Sequence, residues 1–267
     1  MWDERARVHA RGNPMYPVHR VRNGGSGWGM PLPDDLGTLR GKTVLHLQCH
    51  IGMDSLDWAA RGAKVTGVDF STAAIAQARR LSRASGIPAT FVESDVYRIP
   101  RLGLGRFDRV ISSYGTICWL PDLAGWARII ARALKPGGFF YLADIHPVWF
   151  CLEWDGPRET PRLAHSYFAS GALRFIAAAG TYANPSASTR RRVNYSWQHH
   201  PGEIVGALRA AGLTLAYLHE WPYAYWNYLY YTRRRWMARD RKGFWHLRGL
   251  KATLPLMFSI KATRTGR

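Results

Sequence analysis

Between residues 42 and 144 the sequence alternates between short apolar segments and helical ones. The apolar segments have the length of buried strands and cover residues 42–48, 63–69, 89–94, 107–113 and 139–144. The segments with helical character cover residues 54–61, 71–85 and 121–134. Strands that alternate with helices along a chain pair in parallel through right-handed crossovers. The pattern therefore predicts an α/β fold with a doubly wound, mostly parallel sheet.

After residue 146 the alternation stops and later resumes. Residues 147–200 are rich in aromatic side chains, proline and glycine and show no regular period. A segment of about 55 residues buries too little apolar surface to fold comfortably alone, so we interpret it as an insertion after the fifth strand. A helix at 202–211 and strands at 213–218 and 254–263 then complete a seven-stranded sheet. The prediction is one domain with four parts: an N-terminal lid (1–38), a ligand-binding half (39–146), the insertion (147–200) and a C-terminal part (201–267).

Composition excludes several classes of protein. The 267 residues are 47% hydrophobic, enough for a packed core. No run of 18 apolar residues predicts a membrane span, and the charged segment from Met1 to Arg11 lacks the apolar run of a secretory signal. The three cysteines are scattered, which favours neither disulfide bonds nor a metal site. We therefore expect a cytoplasmic protein without a bound metal or a membrane partner.

The formal net charge is +19. Such a charge suits a negatively charged partner such as nucleic acid. It also arises where arginine is simply the usual residue on the protein surface, and we favour this second interpretation.

Polar residues follow the first three predicted strands, where doubly wound sheets bind their ligands. Gly52 lies in the turn after the first strand, Asp69 ends the second and Asp95 follows the third. The spacing from Gly52 to Asp69 is close to that between a glycine turn and a ribose-binding acid. A carboxylate at Asp69 can accept both ribose hydroxyls, and one at Asp95 can accept from an adenine amino group. These positions predict a nucleoside site.

Four motifs stand in order along this half of the chain: VLHLQCHIG at 44–52, VDFS at 68–71, SDV at 94–96 and LKPGG at 134–138. With them the chain resembles the class I S-adenosylmethionine-dependent methyltransferases. The resemblance covers roughly residues 40–145 and extends more weakly to the C-terminal helix and strand. It implies a Rossmann-like fold, S-adenosylmethionine as the cofactor and methyl transfer as the reaction.

The first loop departs from the family's pattern of acid-x-Gly-x-Gly-x-Gly. The corresponding residues are His46, Gln48, His50 and Gly52. Side chains at 48 and 50 would obstruct the pyrophosphate of NAD, whereas a sulfonium ligand has no pyrophosphate to place. The departure leaves open how the methionine amino group is held. The candidates are Gln48, Asp54 and the backbone carbonyls of Ser113 and Tyr114.

The resemblance implies a role for each matching position. Asp69 would hold the ribose, Phe70 would stack on adenine, and Asp95 with Val96 would frame the adenine edge. From the lid, Tyr16 would reach the ligand carboxylate. The implied cofactor-binding residues are Tyr16, Gln48, His50, Gly52, Asp54, Asp69, Phe70, Ser71, Asp95, Val96, Ser113 and Tyr114. Ser71 also has the character of a helix N-cap.

The insertion suggests a small, apolar and planar acceptor, although its aromatic residues also suit an ordinary core. Its candidate pocket residues, together with His146 just before it, are His146, Trp149, Trp154, His165, Tyr167, Phe168, Tyr182, Tyr195, Trp197, His199 and His200. Histidine titrates near neutrality, so we predict His146 as a general base, followed by His199 or His200. Tyr114 is the third catalytic candidate, because it follows the fourth strand, where the family places methyl transfer. Some acceptors need only alignment and no base.

Two other functions stay open. RNA methylation suits the charge, but Ser113–Thr116 stand where amino-group methyltransferases of nucleic acids carry Asn/Asp-Pro-Pro-Tyr. A non-catalytic scaffold could use the aromatic run 221–231 as a partner surface. We predict a methyltransferase that acts on a small specialised metabolite. The sequence predicts neither the methylated atom nor the oligomeric state.

Overall fold

The structure, a computed structural model, describes residues 1–12, 16–22, 34–155, 160–177, 179–227 and 236–266. The helices are α1 (Trp2–His9), α2 (Val18–Arg22), α3 (Met53–Ala60), α4 (Thr72–Ser85), α5 (Leu123–Ala133) and α6 (Pro201–Ala210). The first strands are β1 (Thr43–Leu47), β2 (Lys64–Asp69), β3 (Thr90–Glu93), β4 (Phe107–Ser113) and β5 (Leu134–Ile145). They are followed by β6 (Leu152–Asp155), β7 (Thr160–Leu163), β8 (Ala172–Ile176), β9 (Val193–Trp197), β10 (Thr214–Trp221), β11 (Met237–Arg239), β12 (Trp245–Leu247) and β13 (Met257–Thr263).

Seven strands form one sheet in the order β10-β13-β5-β4-β1-β2-β3. The pairs among β1 to β5 are parallel, whereas β13 is antiparallel to both of its neighbours, β5 and β10. Parallel strands of this kind are covered by helices on both faces, and the largely buried β1 and β5 fit that rule. The predicted doubly wound, mostly parallel sheet is confirmed.

The strand register decides which residues meet at one edge of the sheet. Leu47 pairs with Val68 on one side and with Ser112 on the other. Farther along, Ser113 pairs with Ala143. The residues that leave β1, β2, β4 and β5 therefore lie side by side, at the edge where doubly wound sheets bind ligands.

The LKPGG motif differs from the sequence prediction of a turn between α5 and the fifth strand. Strand β5 already begins at Leu134, which pairs with Phe107, and the next pair joins Arg109 to Phe139. The extra residues on β5 form an irregularity in which Gly137 has a left-handed φ of 72°. The glycines thus bend a strand instead of ending a helix with a separate turn.

The insertion contains two antiparallel hairpins, β6–β7 and β8–β9. Every residue of β8 is exposed, so this strand buries neither of its faces in the core. Near the C-terminus β11 and β12 form a third antiparallel pair.

Helices α5, α4 and α1 pack around the sheet. Trp126 of α5 is fully buried and packs edge-on against Phe140 of β5, with the ring centroids 5.2 Å apart. Ser71 caps α4 as predicted, because its Oγ accepts a hydrogen bond from the Ala74 N–H at 3.2 Å. Helix α1 packs against α4 and so lies over the ligand-binding edge of the sheet.

Within the described ranges, no helix combines the length and the hydropathy that a membrane span requires.

Candidate active site

A cavity of about 350 Å³ opens at this edge of the sheet. Its walls come from α1, the loop after β1, the ends of β2, β4 and β5, the insertion and the segment after β10. Cavities of this volume are typical of small-molecule sites.

The loop after β1 has left-handed backbone at three positions. Gln48 has φ of 54°, His50 of 50° and Gly52 of 75°. At Gly52 an added Cβ would lie only 2.6 Å from the Phe91 ring, so glycine is required. Gln48 and His50 instead hold a conformation that costs a non-glycine residue about 1–2 kcal/mol. Such a strained conformation persists where the surrounding contacts hold the residue in it.

The side chains of Gln48 and His50 both bridge the loop to other parts of the site. Gln48 Nε2 donates to the Thr116 carbonyl at 3.1 Å, while its buried Oε1 has no partner among the described residues. His50 Nε2 and His9 Nδ1 on α1 share a hydrogen bond of 2.8 Å. Burial lowers the pKa of His50 to about 4 and that of His9 to about 2, so both rings are neutral at pH 7.

Asp69 holds the loop from the end of β2. Its Oδ2 accepts from the His50 N–H at 2.8 Å and its Oδ1 from the Ser71 N–H at 2.9 Å. Burial raises the pKa of the Asp69 carboxyl, and the two backbone donors oppose that shift. Each oxygen keeps a second lone pair, so Asp69 can still accept from a ligand hydroxyl.

A hydrogen-bonded chain links the start of the loop to the cavity. His46 Nδ1 lies 2.8 Å from Ser55 Oγ, and His46 Nε2 lies 3.2 Å from Ser113 Oγ. Ser113 Oγ in turn donates to Asp54 Oδ2 at 3.3 Å. Burial lowers the pKa of His46 to about 3 and raises the pKa of Asp54 to about 7. Asp54 thus places an acidic group in the cavity wall next to His46, a neutral histidine at the usual acidic position of the motif.

The guanidinium of Arg5 is a functional candidate that the sequence analysis missed. Arg5 lies on α1, lines the cavity and is 8% exposed. Among the described residues, no carboxylate lies within 4 Å of the Arg5 guanidinium, and no group forms a hydrogen bond with it. Arginine keeps its charge even when burial lowers its pKa, as it does here. The Arg5 Cζ lies 5.3 Å from the centroid of the Trp2 ring, which is a cation–π contact. A buried cation without a carboxylate partner points to an anionic group on a ligand.

Helix α1 is tied to both sides of the cavity. Asp3 Oδ1 accepts from Ser71 Oγ at 2.6 Å and from the Ala73 N–H at 3.1 Å, both at the start of α4. On the insertion side, the Tyr16 and Tyr182 hydroxyls share a hydrogen bond of 2.5 Å. Trp2 packs edge-on against Trp119, with the ring centroids 5.2 Å apart. The N-terminal segment therefore covers the cavity in the described structure.

The nucleoside positions predicted from the sequence are only partly brought together. Phe70 lines the cavity and is 57% exposed, so its ring is accessible for stacking. Asp95 is exposed and caps a short 3₁₀ turn by accepting from the Tyr97 N–H at 2.9 Å, while Val96 is buried in the core. Gly52 and Ser71, like Asp95 and Val96, do not line the cavity.

The structure does not bring the predicted histidine bases to the cavity. His146 Nε2 is 2.7 Å from Glu220 Oε1, and its Nδ1 accepts from the Val148 N–H at 3.2 Å. His199 Nε2 is 2.7 Å from the Leu120 carbonyl, and His200 Nδ1 accepts from the Glu203 N–H at 3.2 Å as the cap of α6. Contacts within the protein therefore occupy both ring nitrogens of His146 and Nδ1 of His200, and they occupy both ring nitrogens of His199, whose Nδ1 lies 3.2 Å from Glu203 Oε2. Of the three catalytic candidates, only Tyr114 lines the cavity.

The wall opposite the loop is aromatic. Tyr114, with φ of 57°, packs edge-on against Trp226, and Trp149, Phe150 and Tyr182 continue the wall. The other acceptor-pocket candidates that the structure describes do not line the cavity: His165, Tyr167, Phe168, Tyr195 and Trp197. The side chain of Trp154 and residues 228–235 of the aromatic run lie outside the described residues. In the described ranges no three His, Cys, Asp or Glu side chains form a group that could hold a metal ion.

Comparison with known proteins agrees with this geometry. Residues 44–138 match the family described as a methyltransferase domain. A ubiquinone biosynthesis O-methyltransferase of Bordetella pertussis is 31% identical over 157 residues, which are 57% of this chain and 64% of the relative. A demethylmenaquinone methyltransferase of Beutenbergia cavernae is 34% identical over 127 residues, 47% of this chain and 50% of that protein. The chain thus spans less than two thirds of the length of either relative.

Among solved structures, an S-adenosylmethionine-dependent methyltransferase of Mesorhizobium loti is similar over 96% of this chain and 100% of its own, with a TM-score of 0.58 and 19% identity. At that identity the likeness concerns the fold. Residues 44–138 therefore match a methyltransferase domain, and the chain has the fold of solved S-adenosylmethionine-dependent methyltransferases.

Proposed function

We propose that this protein binds S-adenosylmethionine in the cavity and catalyses transfer of its methyl group to a small, planar specialised metabolite. The observation that carries the proposal is a pair of groups in one cavity: the guanidinium of the buried Arg5, which has no carboxylate partner among the described residues, and Gln48 Oε1, which has no hydrogen-bond partner there. They fit the two charged ends of an amino acid. When bound, the cofactor supplies a methyl group that its sulfonium already activates.

The remaining groups suit the rest of this ligand. Arg5 would bind the carboxylate, and Gln48 Oε1 together with Asp54 would accept from the ammonium. Asp69 would accept from the ribose hydroxyls with its remaining lone pairs, and Phe70 offers an exposed ring for adenine. The Arg5 guanidinium and Gln48 Oε1 would thus gain partners on the ligand that the described residues do not provide.

On the acceptor side, the chain aligns the substrate and excludes water. Trp149, Phe150 and Trp226 offer flat apolar surfaces, which favour a planar acceptor. Alignment of two reacting groups alone supplies a large part of a rate enhancement. The names of both curated relatives concern quinones, which are planar rings, and this supports an aromatic acceptor. We assign no proton transfer to His146 or His199, because contacts within the protein occupy their ring nitrogens.

The test is calorimetric binding of S-adenosylhomocysteine and of methylthioadenosine, which lacks the amino acid end. We expect the protein to bind both, the former more tightly. In Arg5→Gln the affinity for S-adenosylhomocysteine falls by about 10-fold or more, which is the range for a charged hydrogen bond. The affinity for methylthioadenosine stays the same.

The matched control is Arg7→Gln, because Arg7 lies on the same helix and is exposed. This variant should bind both ligands as the unchanged protein does. If the unchanged protein binds neither ligand, the proposed function is wrong. If Arg5→Gln weakens both ligands equally, Arg5 holds the helix and not a carboxylate.

A further inference from the structure

Asp144, at the end of β5, is a buried carboxylate with an unusual number of donors. It is 1% exposed and does not itself line the cavity. Oδ1 accepts from the N–H groups of Gly115 and Ile145, both at 2.6 Å. Oδ2 accepts from the N–H groups of Thr116 at 2.9 Å and Ile117 at 3.0 Å, and from Thr116 Oγ1 at 3.1 Å. Burial raises the pKa of the Asp144 carboxyl, and the four backbone N–H donors oppose that shift by favouring the ionised form.

The loop that Asp144 holds forms part of the cavity wall. Ser113, Tyr114, Gly115 and Thr116 all line it. Because the amide groups of residues 115–117 point at Asp144, the carbonyls of residues 114–116 point away from it. The Thr116 carbonyl accepts from Gln48 Nε2 at 3.1 Å. The same loop therefore fixes Gln48, one of the two unsatisfied groups of the site.

Tyr114 shows why this loop needs an anchor. Its φ of 57° is strained for a residue with a large side chain, and Gly115 follows with φ of 77°. The Tyr114 ring packs edge-on against Tyr225 and Trp226, with centroid distances of 5.9 and 5.4 Å. A strained conformation persists only where its surroundings over-determine it. The Asp144 hydrogen bonds to the next three residues supply that constraint.

We propose that Asp144 is a positioning residue for methyl transfer, which holds residues 114–117 so that Tyr114 and Gln48 keep their places beside the bound donor. The inference rests on the proposed function. It assigns a role to a residue outside the cavity, and it separates this role from nucleotide binding, which lies on the opposite side at Asp69 and Phe70.

The experiment measures binding of sinefungin and methylthioadenosine to Asp144→Asn by calorimetry, at a temperature where circular dichroism shows the variant folded. Sinefungin carries an amino group where the donor has its methyl group, so its affinity reports on this part of the cavity. An asparagine cannot accept all five hydrogen bonds, so the loop relaxes. We expect the sinefungin Kd to rise by about tenfold, whereas the methylthioadenosine Kd changes by less than about twofold.

Two further variants sharpen the result. Asp122→Asn is the control, because Asp122 also accepts from a backbone N–H, that of Gly125 at 2.8 Å, but caps α5 away from the cavity. It should bind both ligands normally. Thr116→Val removes one of the five hydrogen bonds and keeps the shape. It should weaken sinefungin binding several-fold and serves if Asp144→Asn does not fold.

The route through Tyr114 is tested by a double-mutant cycle. In a Tyr114→Ala background, Asp144→Asn should weaken sinefungin binding much less than it does alone. Equal losses for sinefungin and methylthioadenosine, or normal binding of both by folded Asp144→Asn and Thr116→Val, would overturn the positioning role while leaving the proposed function intact. Failure of the unchanged protein to bind any of these ligands would overturn both.

Discussion

Gln48 and His50 show how a loop can lose its usual glycines and still line a ligand site. The backbone keeps the left-handed conformation that glycine adopts without strain, and the added side chains reach Thr116 and His9. Each side chain connects the loop to an element on the other side of the cavity. The loop is thereby braced, whereas glycines at both positions would leave it held mainly by Asp69.

The raised pKa of Asp54 predicts that binding of the proposed ligand depends on pH. Burial raises its pKa to about 7, so in the free protein it is mostly protonated below pH 7. A ligand ammonium binds its ionised form, and binding at lower pH must first remove the proton. We expect the affinity for S-adenosylhomocysteine to rise with pH up to about 7 and then to level off, as calorimetry between pH 5.5 and 8.5 would measure. Asp69, whose pKa burial also raises, contributes in the same direction.

Two variants isolate the Asp54 contribution. Asp54→Asn should bind more weakly above pH 7 and lose most of the pH dependence. Asp57→Asn removes a neighbouring negative charge that helps to raise the pKa of Asp54, so the midpoint should move to lower pH with full affinity above it. A slope that persists unchanged in Asp54→Asn would assign the titration to another group.

At the scale of elements, side chains decide how firmly α1 is held over the cavity. It consists of eight residues and is held over the cavity by side-chain contacts to α4, to the loop after β1 and, through Trp2, to Trp119. We expect Asp3→Asn to speed amide hydrogen exchange in residues 1–12, because it weakens the hydrogen bonds to Ser71 and Ala73. Hydrogen-exchange mass spectrometry measures this, and bound S-adenosylhomocysteine should restore part of the protection through Arg5.

Arg7→Gln serves again as the control, since it leaves those two hydrogen bonds in place. Equal exchange rates in Asp3→Asn and the unchanged protein would show that other contacts hold α1 down. Ligand protection that does not depend on Arg5 would contradict the proposed carboxylate contact.

The sheet elements were predictable because their signals are local. Buried parallel strands are continuous apolar runs, and β1, β2 and β4 lie within a residue of their predicted bounds. The hairpins of the insertion were not predicted, because they are short and lie within a segment rich in proline and glycine, and β8 is exposed along its whole length. The cavity position followed from the strand ends, and Gln48, Asp54, Asp69 and Tyr114 line it as the motif suggested.

Other parts of the site depend on contacts between residues far apart in sequence. Asp144 resembles any acid at the end of a strand until the loop of residues 115–117 is folded against it. Arg5 is one of several charged residues on α1, and only packing shows that it is buried without a carboxylate. The predicted histidines failed to reach the cavity for the same reason, because Glu220 and Leu120 approach them from distant segments.

At the scale of the whole molecule, the charge of +19 predicts binding to any polyanion at low salt. Such binding is electrostatic. The logarithm of its affinity should therefore fall linearly with the logarithm of the salt concentration, and the protein should show no preference for nucleic-acid sequence. We expect tritium from labelled S-adenosylmethionine to enter a mixture of small aromatic metabolites and not total RNA, as precipitation and counting would show. Label in RNA that survives nuclease-free purification would favour the RNA alternative.

The antiparallel strand β13 lies between β5 and β10 in the sheet, although it is the last strand along the chain. During synthesis, β10 consequently has no neighbour to pair with until residues 257–263 have left the ribosome. Strands β1 to β5 can pair as soon as they are made. The flank that contains β10 cannot pair until β13 is made, and its backbone donors and acceptors stay exposed to water until then. A newly made chain should therefore form the half that contains β1 to β5 before its final strands pair, and a chaperone would bind the unfinished flank.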